Sequence, residues 1–203
     1  LIDLKLNSFF PLSKLKNLSA LNLFGTNIKN LDALSELFQL ESLNLNSTAA
    51  GDLSPLKNLT KLSRLYSSGT YIEDLSPLSS MQNLKRLDVS KMVENIEPLA
   101  NIESLEDLSI IATKVTDISP LSRLKNLRRL DLPRTKVTSF KALASLSKLE
   151  RLSLHKFDQS IQPIVKLEKL KYLRVHGVQQ ADIRVLSKLK NLVRLHAQGI
   201  EVR

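Results

Sequence analysis

Cysteine is absent from the 203 residues, which excludes disulfide scaffolding and thiol chemistry. Aromatic residues make up only 4% against a hydrophobic fraction of 42%, so any core is aliphatic. The five glycines (Gly25, Gly51, Gly69, Gly177 and Gly199) are all isolated, and no Gly-rich loop that could cradle a phosphate exists. No apolar run is long enough to cross a membrane, and no basic-then-apolar leader opens the chain. The sequence starts in mid-pattern at Leu1-Ile2-Asp3-Leu4, so the composition is compatible with secretion and with the cytosol alike.

What is present is a lopsided charge. Residues 1–101 carry ten basic and ten acidic side chains, whereas residues 102–203 carry twenty basic and ten acidic ones. The entire net charge of +10 therefore lies in the C-terminal half. Such an asymmetry bears on partners and not on fold.

The dominant pattern is a repeat of the form L-x-x-L-x-L. It stands at Leu18-x-x-Leu21-x-Leu23, Leu40-x-x-Leu43-x-Leu45, Leu105-x-x-Leu108-x-Ile110, Leu127-x-x-Leu130-x-Leu132, Leu149-x-x-Leu152-x-Leu154 and Leu170-x-x-Leu173-x-Val175. Weaker copies begin at Leu62, Leu84 and Leu192, and a further one at Leu1. From Leu18 onward the steps are 22, 22, 22, 21, 22, 22, 21 and 22 residues, a register that chance does not hold. Alternation within L-x-L makes a short strand with one face inward. A single unit cannot bury its leucines alone, so neighbouring units must stack into a continuous core.

These repeats resemble the leucine-rich-repeat family, in the short 22-residue class of bacterial internalin-like proteins and of the protein phosphatase-1 regulatory subunit. The resemblance covers residues 1–203 as one domain of about ten units. It implies an α/β solenoid with a curved parallel sheet on its concave face, and protein recognition as the usual use. Both ends stop inside a unit, which reads as a fragment lacking one or both caps.

The second half of each unit predicts one or two helical turns. Ser54-Pro55, Ser76-Pro77, Glu97-Pro98 and Ser119-Pro120 put Pro where a turn begins, with Ser as the expected cap. The Asn usual after the strand in this family is missing. Thr26, Thr48, Thr70, Thr113 and Thr135 hold its place, and elsewhere Met92, Phe157, Val178 and Ile200 do. Met92 and Phe157 fall in the two 21-residue units and are expected to fill the lost space with apolar bulk.

Counting the first leucine of a unit as one, positions three, five and seven project from the sheet. In the last units these positions hold Arg129, Arg151, His155, Tyr172, Arg174, His176, Arg194 and His196, which include all three histidines. Arginine, histidine and tyrosine on one face suit planar recognition of carboxylates or phosphates around an aromatic anchor. The rival surface is the middle of the array, with Arg64, Tyr66, Arg86 and Asp88. Phe24 and Ile111 are expected to be exposed apolar residues on the same face. Many remaining lysines, such as Lys125, Lys166 and Lys190, read as a solvated convex side.

The function this supports is a protein–protein interaction module whose partner is acidic where it meets the C-terminal units. Polyanion or nucleic-acid binding is the alternative, disfavoured by the scarcity of aromatic residues for base stacking. No cofactor is called for. Two histidines in one column and a third apart do not make a metal ligand set. Catalysis is not expected either: Asp131, Ser153 and His155 are the residue types of a triad, but on an open sheet without an oxyanion hole.

Overall fold

The computed structural model describes residues 10–155, 161–176 and 184–198. Within them nine strands form one parallel sheet in strict sequence order. They are β1 (Ala20–Asn22), β2 (Ser42–Asn44), β3 (Arg64–Tyr66), β4 (Arg86–Asp88), β5 (Asp107–Ser109), β6 (Arg129–Asp131), β7 (Arg151–His155), β8 (Tyr172–His176) and β9 (Arg194–Gln198). Each strand pairs in register with the next: Leu43, Leu65, Leu87, Leu108, Leu130 and Leu152 are successive partners. The two 21-residue steps do not slip this register, because the missing residue is taken from the loops.

The opposite side of the solenoid is made of short 3₁₀ segments, among them Asp32–Leu34, Ser54–Leu56, Ser76–Leu78, Glu97–Leu99, Ser119–Arg123, Lys141–Ser145 and Gln162–Lys166. With about a dozen residues to return to the next strand, a longer helix does not fit. The core lies between sheet and turns and is almost wholly leucine, isoleucine and valine stacked unit upon unit. Leu34, Leu56, Leu78, Leu99, Leu121 and Leu143 supply its convex side, each fully buried.

The turn starts differ from expectation. Ser is the first residue of the turn and not its cap; the cap positions are Leu53, Leu75 and Ile118, without a side-chain bond, and the side chain that bonds the serine N–H lies two residues before the serine. Backbone N–H groups of Ser54, Ser76, Glu97 and Ser119 donate to side-chain oxygens of Asp52, Asp74, Asn95 and Asp117 at 2.7–2.8 Å. Hydrogen bonds from the backbone and hydroxyl of the serine hold the Asp52, Asp74 and Asp117 carboxyls below their ordinary values. This Asx turn aligns the chain for the first 3₁₀ bond.

After β1, β2, β3, β5 and β6 the chain turns through a left-handed residue followed by a threonine. Gly25, Ser47, Gly69, Ala112 and Arg134 all have φ between 57° and 73°, a region that only Gly enters without steric cost. The next residue is Thr26, Thr48, Thr70, Thr113 or Thr135. Its hydroxyl donates to the carbonyl three residues back at 2.7–2.9 Å. One hydroxyl thus satisfies a buried carbonyl that a longer amide would otherwise reach.

The shortened loop of the fourth strand is closed by a different device. Ser90 is fully buried, and its hydroxyl donates to the Thr70 carbonyl of the preceding unit at 2.6 Å. It also accepts from the Met92 N–H at 3.2 Å. Met92 is only half-buried, so a hydroxyl rather than apolar bulk takes the lost residue's place. Ser90 therefore does not project from the sheet as position seven does elsewhere. Phe157, Val178 and Ile200 lie outside the described residues.

Candidate functional site

The strand register sorts the projecting side chains into rows that run across the sheet. One row is Ala20, Ser42, Arg64, Arg86, Asp107, Arg129, Arg151, Tyr172, Arg194; the next is Asn22, Asn44, Tyr66, Asp88, Ser109, Asp131, Ser153, Arg174, His196. A third row closes the C-terminal end as His155, His176, Gln198. Adjacent parallel strands stand about 4.8 Å apart, so neighbours within a row are in reach of one another.

At β7–β9 the structure brings seven of the eight sequence-derived candidates together. The Arg151 guanidinium lies 4.5 Å from the centre of the Tyr172 ring, and that of Arg194 lies 5.8 Å from the same ring. The tyrosine therefore spaces two guanidinium groups by cation–π contact. His155 and His176 stand with ring centres 5.3 Å apart, and His176 and His196 at 6.1 Å. Desolvation, then the neighbouring His155, His196 and Arg174, hold His176 below its ordinary value. Among the described residues no carboxylate pairs with Arg151, Arg174 or Arg194.

Arg129 is the candidate the structure removes from that group. It sits in the same row as Arg151, but its Nε and a terminal nitrogen both bind Asp131 Oδ2 at 2.8 Å. It also approaches Asp107 at 3.8 Å. Asp131 is only 6% exposed, which makes Arg129 its counter-ion rather than a free donor. Asp131 and Ser153 are neighbours across β6 and β7, yet no hydrogen bond joins Asp131, Ser153 and His155 among the described residues.

The rival surface in the centre is a laced set of charges. Arg86 pairs with Asp107 at 3.1 Å and donates to the Tyr66 hydroxyl at 3.4 Å. Burial, followed by repulsion from Asp107, pushes the Asp88 carboxyl up to about 6, against the opposing pull of Arg129 and Arg86. Along the sheet's edge runs a second chain, Lys85–Glu106–Arg128–Glu150–Lys171, with contacts of 3.1–3.9 Å. These pairs are exposed and worth little each. Phe24 and Ile111 are exposed apolar residues on the same face, as their positions predict.

This geometry has close parallels among solved structures. An internalin C2 from Listeria monocytogenes matches 92% of the chain at 29% identity and a TM-score of 0.84, and the chain covers 83% of it. An internalin (InlF) from the same species matches 94% at 30% identity and 0.86, with 58% of its own length covered. The chain has the leucine-rich-repeat fold, with an internalin-like relationship. A leucine-rich-repeat protein of Leptospira interrogans shares the fold over 95% of the chain at 23% identity and 0.67, again with 58% of its length covered. The chain thus spans less than two thirds of two of these three relatives, all of them bacterial. No protein-family profile and no curated protein matches it.

Proposed function

We propose that this leucine-rich-repeat chain is a protein-recognition module whose concave sheet meets an acidic surface of its partner at β7–β9. The observation that carries the reading is the contrast in pairing. Arg86 and Arg129 are already bound to carboxylates of their own sheet, whereas Arg151, Arg174 and Arg194 pair with no carboxylate among the described residues. A rigid sheet pre-orders these donors, so little side-chain entropy remains to be lost on binding. Tyr172 in their midst supplies an amphipathic anchor of the kind that dominates interface energetics. The internalin relatives support a recognition role.

The test is charge reversal at the column with the fold left intact. Arg151→Glu with Arg174→Glu should weaken capture of a protein partner by at least about tenfold, the equivalent of ~1.4 kcal/mol. Arg64→Glu, at the other end of the row, should leave it unchanged. Unaltered affinity of the double variant sinks the reading. Binding to a DNA duplex as tight as to the partner, falling steeply with salt, would replace it with polyanion binding.

A further inference from the structure

Strands β3–β6 frame an open depression of about 510 Å³ that the proposed function leaves unused. Tyr66, Arg86, Asp88, Ile111, Arg129 and Asp131 are among its lining residues. Its charges are unevenly matched. Arg86 is taken by Asp107 and the Tyr66 hydroxyl, and Arg129 by Asp131 and Asp107. Asp88, on the strand between Tyr66 and Asp107, makes no ion pair and no side-chain hydrogen bond among the described residues. Lys91 also lines the depression and forms no ion pair with any of the three carboxylates.

We infer that this depression receives a lysine or arginine side chain carried by a protein partner. The ammonium or guanidinium would meet the Asp88 carboxylate, and the apolar stem would lie along Ile111, which is 43% exposed. Tyr66 lines the same depression. Other chemistries fit less well. An anion would find Arg86 and Arg129 already engaged and the unpaired Asp88 beside it. An apolar side chain would cover a carboxylate without giving it a partner, which is costly. A cation on a flexible apolar stem supplies the missing charge and covers the isoleucine in one step.

This subsite stands apart from β7–β9 and fails or survives separately. The experiment is an NMR titration of the described chain with N-acetyl-arginine amide, reading the Ile111 methyl and Asp88 carboxyl signals. N-acetyl-citrulline amide, a neutral isostere, is the control. The expected result is saturable shifts with the arginine compound alone, lost in Asp88→Asn and unchanged in Arg151→Glu/Arg174→Glu. Affinity should fall about tenfold from pH 7.5 to pH 5, where a carboxyl titrating at about 6 is roughly one-tenth ionised. Asp107 and Asp131 face the same space but are engaged by Arg86 and Arg129, so the unpaired Asp88 is the carboxyl whose loss of charge the pH change reads. Equal shifts with citrulline, equal affinity for Asp88→Asn, or no saturable shift at all overturns the inference.

Discussion

Strands β3–β6 and strands β7–β9 share one backbone, one register and one leucine core, yet they present opposite kinds of surface. In the centre two arginines of the first row face a carboxylate on their own or the next strand, Arg86 at 3.1 Å and Arg129 at 2.8 Å, while Arg64 on β3 makes no ion pair among the described residues. At the C-terminal end the same row continues as Arg151, Tyr172 and Arg194, where both guanidinium groups lie against the tyrosine ring and neither pairs with a carboxylate among the described residues. The difference shows that in a solenoid the leucines set the frame while positions three and five carry local meaning. A net charge of +10 is thus not a property of the surface as a whole. It lies in residues 102–203, where some arginines of the sheet stand beside carboxylates, as Arg129 does, and others do not.

The largest effect that sharpens the comparison is in the core beneath it. Leu130 on β6 is 0% exposed and enclosed by units on both sides, whereas Leu195 on β9 is 48% exposed. Leu130→Ala should cost about 2–5 kcal/mol and Leu195→Ala less than about 1 kcal/mol. Urea denaturation of both variants checks this. Equal losses would mean that the two regions are equally packed and that the contrast is confined to surface charge.

The next effect addresses the arginines themselves. Arg129→Ala strands the nearly buried Asp131 carboxylate and should cost about 1–3 kcal/mol. Arg151→Ala, one strand along in the same row, removes only a cation–π contact on the surface and should cost roughly 0.5 kcal/mol. Denaturation midpoints of the pair give the answer directly. If Arg151→Ala proved as damaging as Arg129→Ala, then Arg151 too would be a structural counter-ion, and the proposed partner site would lose its basis.

Much of this was legible in the sequence. The 22-residue step fixes which residues share a row, and the two-residue strand period fixes which face they occupy. Both follow from the leucines, and the strand pairing agrees with them residue for residue. Periodicity gives a face but not a direction along it. It could not show that the Arg129 guanidinium turns toward Asp131 while that of Arg151 turns toward Tyr172. The turn devices were half-visible. Gly25 and Gly69 lie two periods apart at the left-handed position, yet Ser47, Ala112 and Arg134 occupy the same conformation with no such mark. The Asp52, Asp74 and Asp117 side chains each stand two residues before a Ser-Pro pair, a spacing that repeats every 22 or 43 residues. The conspicuous proline draws attention from them.

The smallest effect is in how the two regions respond to acid, and it should have opposite signs. Asp88 titrates at about 6 in the folded chain against an ordinary value of 3.8, chiefly because burial disfavours its charge. A carboxyl raised in this way favours the fold when protonated. Its contribution is whole below about pH 3.8 and is lost as pH rises through about 6. Two pH units correspond to about 3 kcal/mol, and solvent screening of this half-exposed group reduces that to about 1 kcal/mol. Asp88→Asn should therefore be about 1 kcal/mol more stable than the parent at pH 7.5 and equal to it at pH 4. His176 is held below its ordinary 6.5, so its neutral form favours the fold. Its contribution is whole above pH 6.5 and is lost as pH falls. His176→Gln should accordingly match the parent at pH 7.5 and gain on it in acid. Denaturation curves of the two variants between pH 4 and 7.5 should cross. Parallel curves would mean that one electrostatic environment extends over both regions, and that the division between a self-paired centre and an unpaired end is not a real one.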